Sequence, residues 1–490
     1  MKVEHFPLNK LPQYVIEVGR KLVDAGFQAY LVGGGIRDLF IGRNPKDFDI
    51  STDALPEQIQ QIFPKSVATG AKFGNIIVVA EDEYGERFDV DVTTFREEED
   101  YQSGRWPAKV EFTKTIEGDL SRRDFTINAF AIDVNMIVDN DDEFLDLDEV
   151  VDLFDGLQDL SKELIRCVGN PIERLKEDGL RAFRACRLAS ELSFSIEEET
   201  KEAIKQTNNV AKQISAERIR DELLKIIKHS PKPSIGFKLL DEVGLLKMVI
   251  PELIENKGIT QPEWHDDDSF EHSLKCMDVA EDSIKLAALF HDIGKARTRS
   301  EDEKGVHFYG HNVKGSDMVK EIMTRLRFSN KKIERVANLV RWHMFYYPSA
   351  EWRKEYDIEE ADNIKHTEEE LRHGWSDAAV RRFIRRVGGQ EAVDDLIKLR
   401  IADAACNTKS EFNPKEIKVL EERIAEVRQQ DMALKVTDLD INGNDLINIG
   451  VPKGPKIGQI LDFLLEKVTD DPTLNDKEKL LEIVWKKRNK

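Results

Sequence analysis

The chain has little cysteine: four in 490 residues, at positions 167, 186, 276 and 406, with no CxxC pair and no zinc-type spacing. A disulfide framework and a zinc finger are thereby excluded, and the four read as buried thiols in a reducing cytoplasm. Long apolar runs are missing too; nothing approaches the roughly 18 consecutive residues that a membrane-spanning helix needs. The opening MKVEHFPLNK has neither an apolar signal core nor an arginine-rich amphipathic pattern, so export is not expected. Positive charge is in deficit: the formal balance is −21, which argues against indiscriminate nucleic-acid binding but leaves a local basic face open. No GxxxxGK[ST] occurs, so there is no P-loop, and no internal repeat or low-complexity linker breaks the chain.

What is present describes a globular protein of several domains, 40% apolar and 34% charged, too long for one core. FQAYLVGG, KDFDIS, NIIVVAE, RFDVDVTTF and FAIDVNMIVD read as strands, and LPQYVIEVGRKLVDA and LPEQIQQIF as helices. The acidic stretch 139–159 reads as a solvated connector. Beyond about residue 160 the pattern is almost wholly helical. The expected division is 1–160, 161–240, 241–405 and 406–490.

In the first part, LVGGGIRD precedes DFDIST. On a strand, Asp47 and Asp49 project to one side while Phe48 packs behind them. Two carboxylates so close repel unless a cation such as Mg²⁺ lies between them, and paired cations activate an attacking oxygen and neutralise a leaving pyrophosphate. A plain strand-to-turn junction is the alternative. Gly33, Gly34 and Gly35 leave backbone N–H groups open to phosphate, with Arg37 as a forked donor behind them. Asp91 alternates with Asp89 on another strand and is a candidate third acid. Further on, Asp178 and Arg181 stand at i,i+3 in EDGLRAFRACR. An acceptor beside a donor complements cytosine and adenine, which pair an exocyclic amine with a ring-nitrogen acceptor, and mismatches uracil and guanine. A surface salt bridge is the alternative there.

LVGGGIRD, DFDIST, 119-DLSRRDFTINAFAID-133 and 177-EDGLRAFRACR-187 resemble, in order and spacing, the class II tRNA nucleotidyltransferase and bacterial poly(A) polymerase family; Gly35-Ile36 replaces the more usual Ala-Val. The resemblance implies an α+β fold: a polymerase-β-like nucleotidyltransferase head with a small mixed sheet, then a helical neck, an HD-type body and a helical tail. It implies Mg²⁺ on Asp47 and Asp49, triphosphate on Gly34 and Arg37, and Arg123 and Asp124 at the nucleotide, Asp124 accepting from the ribose 2′-OH. It gives Asp178 and Arg181 to the incoming base, and Arg184 and Arg187 to support and triphosphate contacts. The stretch 93–112 resembles the flexible loop of full CCA-adding enzymes, and 438–468 resembles the C-terminal part of the long bacterial ones. The expected reaction is addition of C, C and A to a tRNA 3′ end from CTP and ATP. An A-adding or poly(A) enzyme is the nearest alternative.

His272, His291-Asp292 and Asp403 resemble the ligand pattern of the HD metal-dependent phosphohydrolases, with His311 and His343 available for a second ion or phosphate. Such ligands suit Mn²⁺, Fe²⁺, Co²⁺ or Ni²⁺ as well as Mg²⁺. The module is expected to trim damaged 2′,3′-cyclic or phosphorylated RNA ends. Its alternatives are a scaffold that has lost its chemistry, or a hydrolase attached to a relic RNA-binding head. DLDINGND starts like a calcium loop, but Ile449 stands where a bidentate glutamate is required. Arg381, Arg382, Arg385 and Arg386 form a candidate RNA-binding stripe, with 325–335 and the terminal WKKRNK as further basic faces.

Overall fold

The computed structural model describes residues 5–45, 47–82, 84–102, 106–138, 142–259, 267–303, 305–345, 375–406, 414–429 and 436–488. The chain divides into two compact units, Met1–Val249 and Ile250–Lys490.

The first unit is organised by a seven-stranded mixed sheet. Its strands are β2 (Ala29–Val32), β3 (Asp49–Thr52), β4 (Ser66–Gly70), β5 (Asn75–Glu81), β6 (Arg87–Thr94), β9 (Phe130–Asp133) and β11 (Val150–Asp152), in the order β11-β9-β2-β3-β6-β5-β4. β1 (His5–Pro7) pairs with β10 (Phe144–Asp146), while β7 (Arg96–Gln102) and β8 (Trp106–Phe112) form a separate antiparallel ribbon from the segment expected to be a flexible loop. Only β3 and β6 run parallel within the large sheet, and their register sets Asp49 beside Asp91. Alternation explains the core: Ile50, Val90 and Val92 are fully buried, each burying enough apolar surface for about 1.5–3 kcal/mol.

The first-unit helices are α1 (Gln13–Asp24), α2 (Gly34–Phe40), α3 (Pro56–Ile62), α4 (Ile116–Ser121), α5 (Val134–Val138), α6 (Gly156–Ser161), α7 (Pro171–Glu177), α8 (Leu180–Leu192), α9 (Glu198–Ala211), α10 (Ala216–His229), α11 (Pro233–Glu242) and α12 (Leu245–Val249). The expected strand through FAIDVNMIVD stops at Asp133, whose carboxylate accepts from Asn135 N at 2.9 Å and turns the chain into α5. The acidic stretch is not a solvated connector where it is described. β10, β11 and α6 occupy most of it, and buried Asp159 accepts from Thr126 Oγ1 at 2.6 Å and Arg166 Nε at 2.7 Å.

Among its described residues the second unit is helical apart from a small hairpin, Ser300–Asp302 with Gly305–His307. Helices Ser269–Val279, Lys285–Phe290, His311–Arg325, Asn330–Trp342 and Gln390–Ala405 pack around one centre; Gly443–Asn448, Pro455–Asp470 and Lys477–Arg488 carry a separate apolar cluster. The calcium-like DLDINGND is a helix start: Asn442 caps Asn444 and Asp445, and Asp445 accepts from Asn442 N at 2.9 Å. Among the described residues no helix is long and apolar enough to cross a membrane.

Candidate functional site

A cavity of about 640 Å³ opens in the first unit, walled by Gly33 and Gly34, Asp49 and Asp91, Arg122, Arg123 and Asp124, and Asp178, Arg181, Arg184 and Arg218. These come from six separate stretches of sequence that meet on one space. Gly33 makes the junction between β2 and α2 at φ 81°, and a Cβ on it would lie 2.8 Å from Asp49 Oδ2. Only glycine allows the chain to turn there and pass so close to the carboxylate.

Asp49 opens β3, whereas Asp47 lies two residues before the strand begins, is exposed and is absent from the cavity wall. Asp47 is thus off the strand expected to carry both acids, and across the parallel pairing Asp91 stands beside Asp49, fixed by Asn75 Nδ2 at 3.1 Å. Burial, opposed by Arg123 but reinforced by Asp91 and Asp47, pushes the Asp49 carboxyl up to about 6. That mutual repulsion is what a divalent cation relieves, so the donor set fits Mg²⁺.

Arg123 is held by Asp119, fully buried, at 3.1 Å, and its Nε is buried with no hydrogen-bond partner. The same Asp119 accepts from Arg122 at 2.6 Å and from Ser51 Oγ at 3.1 Å, tying the arginine loop to β3. Burial alone would raise the Asp119 carboxyl, but Arg122 and Arg123 overcome it and hold the group below its ordinary range. At Asp124 burial is likewise outweighed, chiefly by Arg184, and the carboxyl lies well below the usual range. Its four acceptor positions are filled: Oδ1 by Phe125 N (2.9 Å) and Asn128 Nδ2 (3.1 Å), Oδ2 by Arg184 Nε (2.7 Å) and the terminal nitrogen (2.6 Å). In this arrangement Asp124 orients Arg184; accepting from a ribose hydroxyl would require one of these bonds to be released.

Two expected arginines lie elsewhere. Arg37 is buried, donates to Asn128 Oδ1 at 2.6 Å and to Asp38, and does not line the cavity. Arg187 is engaged by Glu222 at 2.6 Å and Glu191 at 2.9 Å, also off the wall. Asp178 and Arg181 do both line it, but not from one helix. Asp178 is the extended residue ending α7, and its Oδ1 accepts from Leu180 N at 2.9 Å to start α8. It pairs with Arg218, and Arg181 pairs with Glu177. Asp119, Asn128 and Glu177 lie inside the quoted motifs without having been singled out, and Arg218 lies outside them; the partners they hold reveal all four.

The second unit holds a histidine cluster. His272, His291 and Asp292 bring ligand atoms within 4.8 Å of one another, as do Asp292, His311 and His343, so Asp292 belongs to both groups. Asp403 joins them, 3.0 Å from His272 Nε2 and 3.6 Å from His291 Nε2. Three rings are aimed by their own backbone: Nδ1 donates to the carbonyl three residues back, in His291 to Ala288 (2.8 Å), in His311 to Phe308 (2.8 Å) and in His343 to Val340 (2.7 Å). A carbonyl only accepts, so the proton resides on Nδ1 and Nε2 faces the centre, as metal-binding imidazoles require. His291 Nε2 is buried without a hydrogen-bond partner. A Cβ on Gly294 would fall on the His311 carbonyl oxygen, so this glycine permits the approach of His311–Arg325. Burial pulls His291 down, but Asp292 and Asp403 outweigh it and lift it to about 10; burial takes His343 down to about 4. Lys295, 2.6 Å from Asp292, adds a further charge at the rim. These donors fit a divalent transition metal or Mg²⁺.

The arginine stripe dissolves into the fold. Arg381 donates to the carbonyls of Thr469 (2.8 Å) and Asp470 (3.1 Å), and Arg382 pairs with Asp470 at 2.7 Å, closing the C-terminus of Pro455–Asp470. Arg385 lines a pocket beside Asp462 and Glu466, and Arg386 alone is exposed. In 325–335, Arg325 pairs with Glu252 and Arg335 with Asp395. Lys487 of the terminal basic run sits 3.3 Å over the Phe463 ring.

Four family models match the chain: poly A polymerase head domain over 29–166, probable RNA and SrmB-binding site of polymerase A over 193–256, HD domain over 268–408, and tRNA nucleotidyltransferase domain 2 over 404–484. The chain is 43% identical over 222 residues to the CCA-adding enzyme of Lactobacillus helveticus, covering 45% of this chain and 51% of that one. It is 44% identical over 208 residues to the CCA-adding enzyme of Enterococcus faecalis, covering 42% and 47%. The matches thus span about half the length of these relatives. Among solved structures, the Bacillus stearothermophilus CCA-adding enzyme in complex with CTP superposes with a TM-score of 0.64 at 24% identity, over 97% of this chain and 98% of that one. The Thermotoga maritima CCA-adding enzyme complexed with tRNA does so at 0.53 and 19%, over 99% and 100%. At such identities the likeness establishes the fold.

Proposed function

The chain belongs to the class II tRNA nucleotidyltransferase and poly(A) polymerase family, with an HD domain inside it, and from that premise we propose that it adds C, C and A to the 3′ end of tRNA from CTP and ATP, releasing pyrophosphate. The observation that carries the reading is the convergence of Asp49 and Asp91, six arginines and Asp178 on one cavity beside an open glycine turn. The N–H groups at Gly33 and Gly34 receive triphosphate oxygens. Arg123, through its unpartnered Nε, and Arg184 supply positive charge where charge gathers on the leaving pyrophosphate. Asp49 and Asp91, with Asp47 close enough to act on Asp49, would hold Mg²⁺, which when bound supports deprotonation of the 3′ hydroxyl and offsets charge on the phosphates. Asp178 and Arg181 read the base edge. We assign the head to 1–160, the base-reading neck to 161–240, the HD body to 241–405 and an RNA-contacting tail to 406–490, and place the protein in the cytoplasm.

The test is direct: tRNA lacking its 3′ end, Mg²⁺ and single nucleotides. Incorporation of CTP followed by ATP supports the reading. ATP alone points to an A-adding or poly(A) enzyme, and no incorporation overturns it. The histidine cluster favours a second activity, metal-dependent hydrolysis of phosphate esters at RNA ends, with His272, His291, Asp292 and Asp403 as ligands and His311 and His343 completing a second group around Asp292. A wild type that hydrolyses neither a 2′,3′-cyclic nor a terminal phosphate with any transition metal removes that activity.

A further inference from the structure

Reading a base edge takes more than an acid at the right place; the number and direction of its open acceptor positions decide which edge fits. Each carboxylate oxygen offers two. At Asp178, Oδ1 accepts from Leu180 N at 2.9 Å and from one Arg218 nitrogen at 3.4 Å, while Oδ2 accepts from the other Arg218 nitrogen at 2.7 Å. One position, on Oδ2, is left. Asp124, four-fold bonded in the same cavity, has none. The contrast marks Asp178 as an acceptor held still with one lone pair to offer.

Arg218 is delivered to it by a relay of pairings on α10. Glu222, one turn along the same helix, is the obvious competitor for Arg218. It is already taken by Arg187 at 2.6 Å and Lys225 at 3.0 Å. Ile219, Leu223, Ile226 and Ile227 bury the apolar side of the helix, and Arg218 reaches the cavity wall.

Resting on the nucleotide-adding reading above, we infer that Arg218 is a specificity-determining positioning residue, which clamps the Asp178 carboxylate so that its single open acceptor meets the exocyclic amine of cytosine or adenine. A carboxylate fixed in this way confronts the carbonyl oxygen that uracil or guanine sets at that place, acceptor against acceptor. Released from the clamp, it rotates and takes the ring N–H of uracil or guanine instead. Arg187 then acts at one remove, by keeping Glu222 away from Arg218.

The experiment compares wild type with Arg218→Ala and Arg218→Lys on a tRNA lacking its 3′ end, measuring kcat and KM for CTP and for UTP separately. The expected result in Arg218→Ala is a fall of about tenfold in the CTP-to-UTP ratio of kcat/KM. KM for CTP rises by more than kcat falls. Arg218→Lys, which keeps the charge but loses the fork, recovers part of the ratio. A merely structural role would lower both nucleotides together. If wild type adds C and either folded variant keeps the parental ratio, the inference is overturned and the proposed function stands; should Arg218→Ala not fold, the ratio in Arg218→Lys decides. If wild type adds no nucleotide, both fall.

Discussion

The head cavity and the histidine cluster solve opposite problems with the same raw material, buried ionisable groups. In the head the arginines are matched to acids that satisfy only part of their capacity, and the space between them is large enough for a nucleotide. In the cluster His272, His291, Asp292 and His343 are each no more than 3% exposed, and the ligand atoms lie within a few ångströms of one another. The cavity is suited to a large anion that comes and goes; the cluster is suited to a small cation that stays. The difference shows that burial alone does not identify a site's ligand. What identifies it is whether the convergent atoms are donors, as at Arg123 and Arg184, or lone pairs, as at three Nε2 atoms and two carboxylates.

The sharpest way to break the comparison is to disable one site and watch the other. Asp49→Asn is expected to reduce nucleotide addition by roughly 10³-fold or more, about 4 kcal/mol of transition-state stabilisation, and to leave phosphate-ester hydrolysis unchanged. Asp292→Ala, which removes the residue common to both ligand groups, is expected to abolish stoichiometric metal binding, read by calorimetry and metal analysis, while nucleotide addition persists. Cross-inhibition in either direction would contradict the assignment of two independent chemistries.

The next effect concerns what holds the head's arginines in place. Asp119→Ala leaves Arg122 and Arg123 without their buried acid and should cost about 3–5 kcal/mol of stability in urea titrations. Asp124 allows a pH test. Its carboxyl is depressed in the folded protein, so its stabilisation is fully present above the unfolded value of 3.8 and is lost as pH falls toward the folded value. The stability gap between wild type and Asp124→Asn should hold from pH 7 to about 4 and narrow below that. The smallest contrast lies on one helix: Arg381→Ala, which uncouples buried contacts to Thr469 and Asp470, should cost about 1–2 kcal/mol, and Arg386→Ala less than about 0.5 kcal/mol in thermal unfolding.

Where a function is written in adjacent residues, the sequence is a good guide. GGG before a strand carrying an acid, and a tandem His-Asp, each announced a centre that the fold assembles. Helical periodicity found the long helices but misjudged what their arginines face. It left Arg381 and Arg382 for RNA, although the end of another helix some 88 residues on claims them. It drew Asp178 and Arg181 onto one helix because nothing local shows that an aspartate capping Leu180 breaks α7 from α8. Asp49 was found and its register neighbour Asp91 named only as a third acid, since parallel pairing of β3 with β6 is a property of the sheet and not of either strand. Arg218 and Asn128 went unnoticed for the same reason, with partners 40 and 91 positions away.

The three imidazoles pinned to carbonyls of their own turns have an implication beyond this centre. Each segment arrives with its lone pair already pointed, so orientation is inherited from local geometry and needs no helper residue from afar. Such a locus tolerates drift in the intervening chain, provided the segments still meet. Replacing a pinned ring by glutamine would restore polarity yet forfeit that built-in aim.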